Sequence, residues 1–378
     1  MRSIQFTGRL DSGWHTAKLP DGFAPQLVLW FGARQADATA LQTILQTRFP
    51  TATVVGCSSS GEIAAGEVLD STLVATAIEF DQVTVKTACV DGAEPGDSKA
   101  IGRSLALQLQ ADDLSGVIIF SDGLRISGTA LGQGFTDLIG TGIPICGALA
   151  GDGARFEQTW VASDGTAASG RVVAIGFYGS ALTMRFGTGG GWDRFGPERQ
   201  ITRATDNRLF ELDGQPALSL YKKYLGEEAA GLPGSALHFP LFVRPAGGNG
   251  GVTRTVLGVS ENEESITFAG DLPMGHTAQL MHGNFERMIA GAADSTRQMG
   301  IPPDGSAGLV LLMSCIGRKL VLGERVAEEV EAALEQLPSG IPAIGFYSYG
   351  GLAPAPGLDG TQLHNQTMTA VLLSEVRT

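Results

Sequence analysis

Residues 117–125, Val-Ile-Ile-Phe-Ser-Asp-Gly-Leu-Arg, and residues 310–318, Val-Leu-Leu-Met-Ser-Cys-Ile-Gly-Arg, share one pattern: an apolar strand, a serine, three residues and an arginine. Each segment leads into a helical pattern that ends in Gly-Ile-Pro, a second apolar strand and a glycine, at 142–147 and at 340–345. Continuous apolar runs of this kind indicate strands buried on both faces. The two segments therefore predict a repeated strand–helix–strand unit, although unrelated segments of this type also look alike.

A fainter copy of the same unit occupies residues 27–61. An apolar run opens it, a helical pattern that Asp37 can cap follows, and a second apolar strand leads into the glycine-bounded turn 56–61. Two further strand patterns, at 72–80 and 83–90, are separated by only two residues and predict an antiparallel pair. We therefore expect mixed rather than purely parallel sheets.

A glycine-rich stretch at 189–197 interrupts these patterns and marks a boundary near residue 200. A chain of 378 residues exceeds what one hydrophobic core usually serves. We predict an α/β fold with two related domains, 1–200 and 201–378. Each domain should hold a mixed sheet flanked by helices, with pseudo-repeated strand–helix–strand units.

The charge balance argues against some partners. The chain has 26 Lys and Arg against 39 Asp and Glu, a net charge of -13, which repels nucleic acid and anionic membranes. No apolar run approaches the length of a membrane span, and the amino terminus lacks a secretory signal pattern, so we expect a cytoplasmic protein. The four cysteines form no Cys-x-x-Cys pair, which indicates neither a disulfide framework nor a zinc site.

The usual catalytic signatures are missing from the sequence. It has no Gly-x-Ser-x-Gly elbow, no phosphate-binding loop, no dinucleotide fingerprint and no His-Glu-x-x-His. We predict a protein that is not an enzyme, with no catalytic residue, no metal and no cofactor. One alternative is a hydrolase or transferase with Cys57 or Cys315 as nucleophile, but a thiol needs a basic partner and no histidine lies near either in sequence.

The repeated arginines are candidates for ligand binding. Arg125 and Arg318 follow the ends of buried strands, where open sheets collect ligands, and a guanidinium can hold a carboxylate with two hydrogen bonds. Both arginines are equally compatible with tying loops to acidic neighbours. Ser58 and Ser59 offer hydroxyls in the turn 56–61, which also reads as a plain polar turn.

Tyr347 and Tyr349 lie in a glycine-bounded turn at 345–350. A phenol has an apolar body and a polar tip, so either ring could form the wall of a pocket. Core packing is the competing interpretation of both tyrosines.

Five segments together resemble the FIST family of bacterial sensory proteins: 54–63, 213–226, 314–318, 345–350 and 363–367. The resemblance runs from about residue 25 to about residue 375 and includes both the amino-terminal and the carboxy-terminal FIST domain. Each motif is short, but their combination is specific.

The resemblance implies a FIST amino-terminal domain at 1–200 and a FIST carboxy-terminal domain at 201–378. It also implies an intracellular sensor in bacterial signal transduction that binds a small molecule, for which amino acids have been proposed. The outputs of the family include histidine kinases, cyclases and chemoreceptors. We recognise no output domain here, so we expect action on such a signalling partner in trans. The family usually has Glu after the Tyr-Gly of this turn, where this chain has Gly351.

A branch of the family resembles haem-binding nitric oxide sensors, and this is a second alternative. Haem needs an axial ligand such as histidine, for which His238 and His364 are the candidates. His364 belongs to a motif shared across the family. His238 has apolar neighbours, a setting in which a histidine is commonly a satisfied core residue.

Repeated units place their turns equivalently and pockets favour domain interfaces, so we expect a cleft between the two domains. The turn 56–62, Arg318 and the turn 345–350 should bound it. The candidate ligand-binding residues are Gly56, Cys57, Ser58, Ser59, Glu62, Arg125, Arg318, Tyr347, Ser348, Tyr349 and His364.

Overall fold

The computed structural model describes residues 1–15, 18–92, 96–302 and 306–376, and it shows a mixed α/β fold, as predicted. Three related units follow one another along the chain, and a separate sheet domain is inserted into the third. Among the described residues, no helix is both long and apolar enough to cross a membrane.

Unit 1 lies between residues 1 and 80. Its elements are β1 (Arg2–Arg9), β2 (Gly13–Trp14), β3 (Leu27–Ala33), α1 (Ala38–Arg48), β4 (Thr53–Ser59), β5 (Glu62–Ala64), β6 (Glu67–Leu69) and β7 (Thr72–Glu79). Asp37 caps α1 by accepting a hydrogen bond from the backbone N–H of Ala40 at 3.1 Å, as the sequence predicted.

Unit 2 lies between residues 84 and 178. Its elements are β8 (Thr84–Val90), α2 (Ser98–Leu109), β9 (Leu114–Ser121), α3 (Gly128–Ile139), β10 (Ile145–Leu149), β11 (Val161–Ser163), β12 (Thr166–Ala168) and β13 (Val172–Tyr178).

Unit 3 is split by the inserted domain. It begins with β14 (Leu182–Gly189), after which the insertion holds β15 (Trp192–Thr205), β16 (Arg208–Leu212), β17 (Gln215–Pro216), α4 (Ala217–Leu225), β18 (Leu241–Arg244), β19 (Val252–Arg254), β20 (Val256–Ser260), β21 (Ser265–Phe268) and β22 (Thr277–Gly283). Unit 3 resumes with α5 (Phe285–Met299), β23 (Ala307–Cys315), α6 (Ile316–Leu322), α7 (Val326–Leu334), β24 (Ala343–Ser348), β25 (Gly350–Pro354), β26 (Thr361–His364) and β27 (Met368–Glu375). Three 3₁₀ turns, at 226–231, 234–238 and 323–325, complete these elements.

The three units share one strand order. The orders are β4-β3-β7-β1 in unit 1, β10-β9-β13-β8 in unit 2 and β24-β23-β27-β14 in unit 3. In each case the first two strands are parallel and joined by a helical connection, and an antiparallel strand lies on the other side. The predicted repeat is confirmed, and it has three copies.

The units are joined by a cyclic exchange of hairpins. The β5–β6 hairpin of unit 1 pairs with β24 of unit 3, the β25–β26 hairpin of unit 3 pairs with β10 of unit 2, and β11 of unit 2 pairs with β4 of unit 1. Every unit therefore completes its neighbour's sheet. The predicted division of the chain into two domains at residue 200 stays a prediction. The sheets combine strands from both sides of that residue.

Aromatic side chains from all three units meet in one core. Phe31 of unit 1 stacks on Phe346 of unit 3, with ring centroids 4.4 Å apart, and lies 5.6 Å from Phe120 of unit 2. All three side chains are buried. Burial of apolar area stabilises the folded protein by about 25 cal/mol for each Å² that is removed from water. This aromatic core therefore holds the three units together.

One predicted strand pairing is wrong. The strands at 72–80 and 83–90 were expected to form an antiparallel pair, but β7 pairs with β1 and β3, whereas β8 pairs with β13 in another sheet. The short connection at residues 80–83 joins two units rather than two strands of a hairpin. The short separation of the two strands in sequence indicated a hairpin. In the structure β7 lies between β1 and β3, so both of its edges are already paired within unit 1.

Candidate functional site

A cavity of about 480 Å³ lies between unit 2 and the inserted domain. One wall is the loop 123–128 with the start of α3, and the opposite wall is formed by residues 206–207 and 268–271. The charged side chains that line it are Arg125 on the first wall and Asp206 and Asp271 on the second. A cation and two carboxylates on separate elements can contact the two ends of one small polar ligand.

The loop that carries Arg125 is held by Asp122. One carboxylate oxygen of Asp122 accepts hydrogen bonds from the backbone N–H groups of Leu124 and Arg125, both at 2.8 Å, and the other accepts from Gly170 at 2.9 Å. Ser127 then caps α3 by accepting from the N–H of Ala130 at 3.2 Å. The sequence predicted this helix and the position of Arg125 at its start.

The opposite wall is partly desolvated at Asp271. Burial raises the pKa of the Asp271 carboxyl, and the nearby Arg254 guanidinium opposes that shift. Arg254 is itself buried and donates to the backbone oxygens of Asp271 at 3.0 Å and Leu363 at 2.9 Å. Burial lowers the pKa of Arg254 to about 10, which leaves it charged at neutral pH.

A second cavity, of about 180 Å³, adjoins the first. The two share Phe156, Leu257, Ala269 and Tyr349 as lining residues. Most of the remaining wall of the smaller cavity is apolar, and Asn365 and Cys315 also line it.

Tyr349 stands where the two cavities meet. Its ring stacks on Phe156, with centroids 4.6 Å apart, and its hydroxyl donates to Asp152. Burial and this hydrogen bond raise the pKa of Tyr349. Burial alone would raise the pKa of Asp152, but the backbone N–H groups of residues 156–158 and the Tyr349 hydroxyl outweigh it and lower that pKa. Tyr349 was predicted to form the wall of a pocket, and it lines both.

The serine turn at residues 56–61 lines neither cavity, and all of its residues are buried. Cys57 and Ser58 are fully buried in β4, and Gly56 packs its backbone against the Trp30 indole. Ser59 donates to Glu62, which also accepts from the backbone N–H of Thr72 at 3.0 Å. Burial raises the pKa of Glu62, and these hydrogen bonds oppose part of that shift. The ligand role predicted for this turn gains no support from the geometry.

Arg318 is also fully buried. Its guanidinium forms an ion pair with Glu329 at 2.7 Å and donates to the backbone oxygens of Gly190 at 2.7 Å and Met288 at 2.6 Å. Tyr347 donates to the same carboxylate at 2.7 Å. The carboxylate that binds Arg318 is therefore Glu329 of the protein itself and not a ligand. These contacts agree better with the other interpretation of this arginine, which is that it ties a loop to an acidic neighbour. Ser348 donates to the backbone oxygen of residue 314 at 3.2 Å.

Gly351 occupies the position that Glu62 holds in unit 1. By register, Thr367 of unit 3 corresponds to Thr72, the residue that donates to Glu62. In unit 3 the hydroxyls of Thr367 and Thr369 are buried, and neither has a hydrogen-bond partner among the described residues. With glycine at this position, the described part of unit 3 has no counterpart of the acceptor that Glu62 provides in unit 1.

The haem alternative finds no axial ligand at these cavities. His238 is exposed in a 3₁₀ turn, and His364 is buried with a ring nitrogen 3.0 Å from the backbone oxygen of Ala353. Neither histidine lines either cavity. The geometry of the two cavities therefore gives the haem alternative no support, and haem binding stays a prediction.

The cysteine alternative meets an electrostatic obstacle. Burial raises the pKa of both Cys57 and Cys315, and only Cys315 lines a cavity. A thiol with a raised pKa stays protonated at neutral pH and is a weak nucleophile.

Sequence reasoning missed Asp206, Asp271, Phe156 and Asn365 as lining residues. Asp271 and Phe156 reach the cavities only through the packing of the inserted domain on unit 2, which no local pattern indicates. Asn365 had a signal, because it lies within the segment 363–367 that carries the family resemblance.

The sequence matches the family model of the FIST N domain over residues 26–215 and that of the FIST C domain over residues 217–354. The protein therefore belongs to the FIST family, whose domains are associated with sensing in signal transduction. It is also similar to an uncharacterised protein of Methanocaldococcus jannaschii, at 21% identity over 322 residues, or 77% of this chain. The chain matches 60% of the length of that relative.

Proposed function

We propose that this protein is an intracellular sensor that binds a small zwitterionic metabolite, such as an amino acid, in the larger cavity. The observation that carries the proposal is that Arg125 lies on one wall of this cavity of about 480 Å³ and that Asp206 and Asp271 lie on the opposite wall. A guanidinium binds a carboxylate with charge-assisted hydrogen bonds, and carboxylates bind an ammonium group. Tyr349 and Phe156 offer an apolar surface to the ligand's side chain.

The position of the cavity suggests how binding becomes a signal. Arg125 belongs to unit 2 and the two aspartates belong to the inserted domain, so a bound ligand links two parts of the fold. A ligand that binds one arrangement of these two parts more tightly than another shifts the population of protein molecules toward the first arrangement. We propose that the altered surface is recognised in trans by a signalling protein such as a histidine kinase or a cyclase in a bacterial cytoplasm.

A panel of amino acids and dicarboxylates, tested by thermal shift and then by calorimetry, examines the proposal. A ligand raises the melting temperature through linkage, and Arg125→Gln should weaken its affinity about tenfold. Arg203→Gln is the matched control, because Arg203 is exposed and pairs with Glu211, and neither residue lines the cavity. No stabilising ligand in the panel, or equal affinity in Arg125→Gln and wild type, would contradict the proposal.

A further inference from the structure

Asn365 has a buried side-chain carboxamide. The residue is 1% exposed, and both its side-chain oxygen and its side-chain nitrogen lack a hydrogen-bond partner among the described residues. Buried polar groups are nearly always paired, because leaving a donor or acceptor unsatisfied is costly. Asn365 lines the smaller cavity, where a bound molecule could satisfy it.

The rest of that cavity is mostly apolar. Leu237, Leu257, Ile316 and Leu320 contribute to its wall, together with the Phe156 and Tyr349 rings. Thr255 adds one further buried hydroxyl without a partner among the described residues. A cavity of about 180 Å³ is large enough for a single aromatic ring, since benzene fits an apolar cavity of about 150 Å³.

We propose that the smaller cavity is a second ligand site, for a neutral compound with a compact apolar body and a carboxamide. A carboxamide offers one acceptor and one N–H donor side by side, the complement of the nitrogen and oxygen of Asn365. Among the residues that the structure describes, no Lys, Arg, Asp or Glu lines this cavity, so it selects a neutral group. This site adjoins the zwitterion site of the larger cavity and shares Phe156 and Tyr349 with it, but its polar group is Asn365 instead of Arg125, and the proposal goes beyond that function.

Benzamide is the probe, because it joins a benzene ring to a carboxamide. We expect wild-type protein to bind benzamide in calorimetry, and Asn365→Leu to lose about tenfold in affinity for it while keeping its affinity for toluene. Asn249→Leu is the matched control, since Asn249 is exposed and outside the cavity lining, and it should bind benzamide like wild type.

A measurement on wild-type protein covers the case in which Asn365→Leu fails to fold. The side-chain NH₂ resonances of Asn365 should shift on addition of benzamide. Unchanged benzamide affinity in folded Asn365→Leu, resonances that do not move with saturating benzamide, or no benzamide binding at all would overturn the proposal. Arg125→Gln should leave benzamide affinity unchanged, so this proposal and the zwitterion site fail separately.

Discussion

Gly147 and Gly345 occupy the same position in two different sheets. Gly147 of β10 lies opposite Ile119 of β9, and Gly345 of β24 lies opposite Leu312 of β23, in the same parallel register. A Cβ atom at either glycine would lie closer to the carbonyl oxygen of that partner than real contacts allow. Gly56 is the counterpart in unit 1, opposite Trp30. The close approach of the two backbones explains the glycines of β10 and β24, whereas at Gly56 the side chain of Trp30 occupies the space that a Cβ atom would need.

Replacement of either Gly147 or Gly345 by alanine should destabilise the protein by about 3 kcal/mol or prevent folding, because the added methyl group overpacks a buried backbone contact. Urea denaturation measures the change in the free energy of unfolding. Gly142→Ala is the control, since a Cβ there meets nothing within 4 Å, and it should change stability by less than about 0.5 kcal/mol. Equal stability of Gly345→Ala and Gly142→Ala would refute the close approach.

Local patterns predicted much of the fold. The structure has the expected apolar strands at 117 and 310, with their helices and glycines. These strands were recognisable because a strand that is buried on both faces has a continuous apolar run. The exchange of hairpins was not predictable, since β5 and β25 read as local strands whether they pair within their own unit or with the next. The site depends on the same long-range packing, and for this reason Arg125 and Tyr349 were found but Asp206 and Asp271, which the inserted domain contributes to the cavity, were not.

Glu329→Gln should destabilise the protein by about 3–5 kcal/mol. The carboxylate of Glu329 is fully buried and accepts hydrogen bonds from Arg318, Tyr347 and Ser314. Neutralising it leaves the charge of Arg318 buried without compensation. The measurement is the free energy of unfolding in urea.

The control for this change is Glu263→Gln, which breaks an ion pair with Arg208 at 2.8 Å where both side chains are exposed. Such pairs contribute about 0–1 kcal/mol. A loss at Glu329 no larger than that at Glu263 would show that the buried pair does not hold α7 to the core, and the predicted ligand role of Arg318 would then regain support.

The stability of the protein should fall as the pH drops from about 6.5 toward 4, because of His364. Burial lowers the pKa of His364 from 6.5 to about 4 in the folded protein, the hydrogen bond to Ala353 opposes that shift, and Arg254 adds to it. In this pH range the unfolded chain binds a proton at His364 that the folded protein does not bind, so the free energy of unfolding decreases with falling pH. The stabilising contribution is complete above pH 6.5, and about 3 kcal/mol of it is lost near pH 4.

Denaturation of wild type and His364→Gln between pH 4 and 7.5 isolates this contribution, because carboxylates add the same slope to both proteins and cancel in the difference. The glutamine variant should show a shallower decline in the free energy of unfolding below pH 6.5. His238→Gln serves as control at an exposed histidine and should keep the wild-type slope. Parallel curves for wild type and His364→Gln would mean that His364 takes up its proton in the folded state as readily as in the unfolded chain. Such a histidine would need a partner for its charged form, and the buried contact with the Ala353 backbone oxygen would then be an incomplete account of its surroundings.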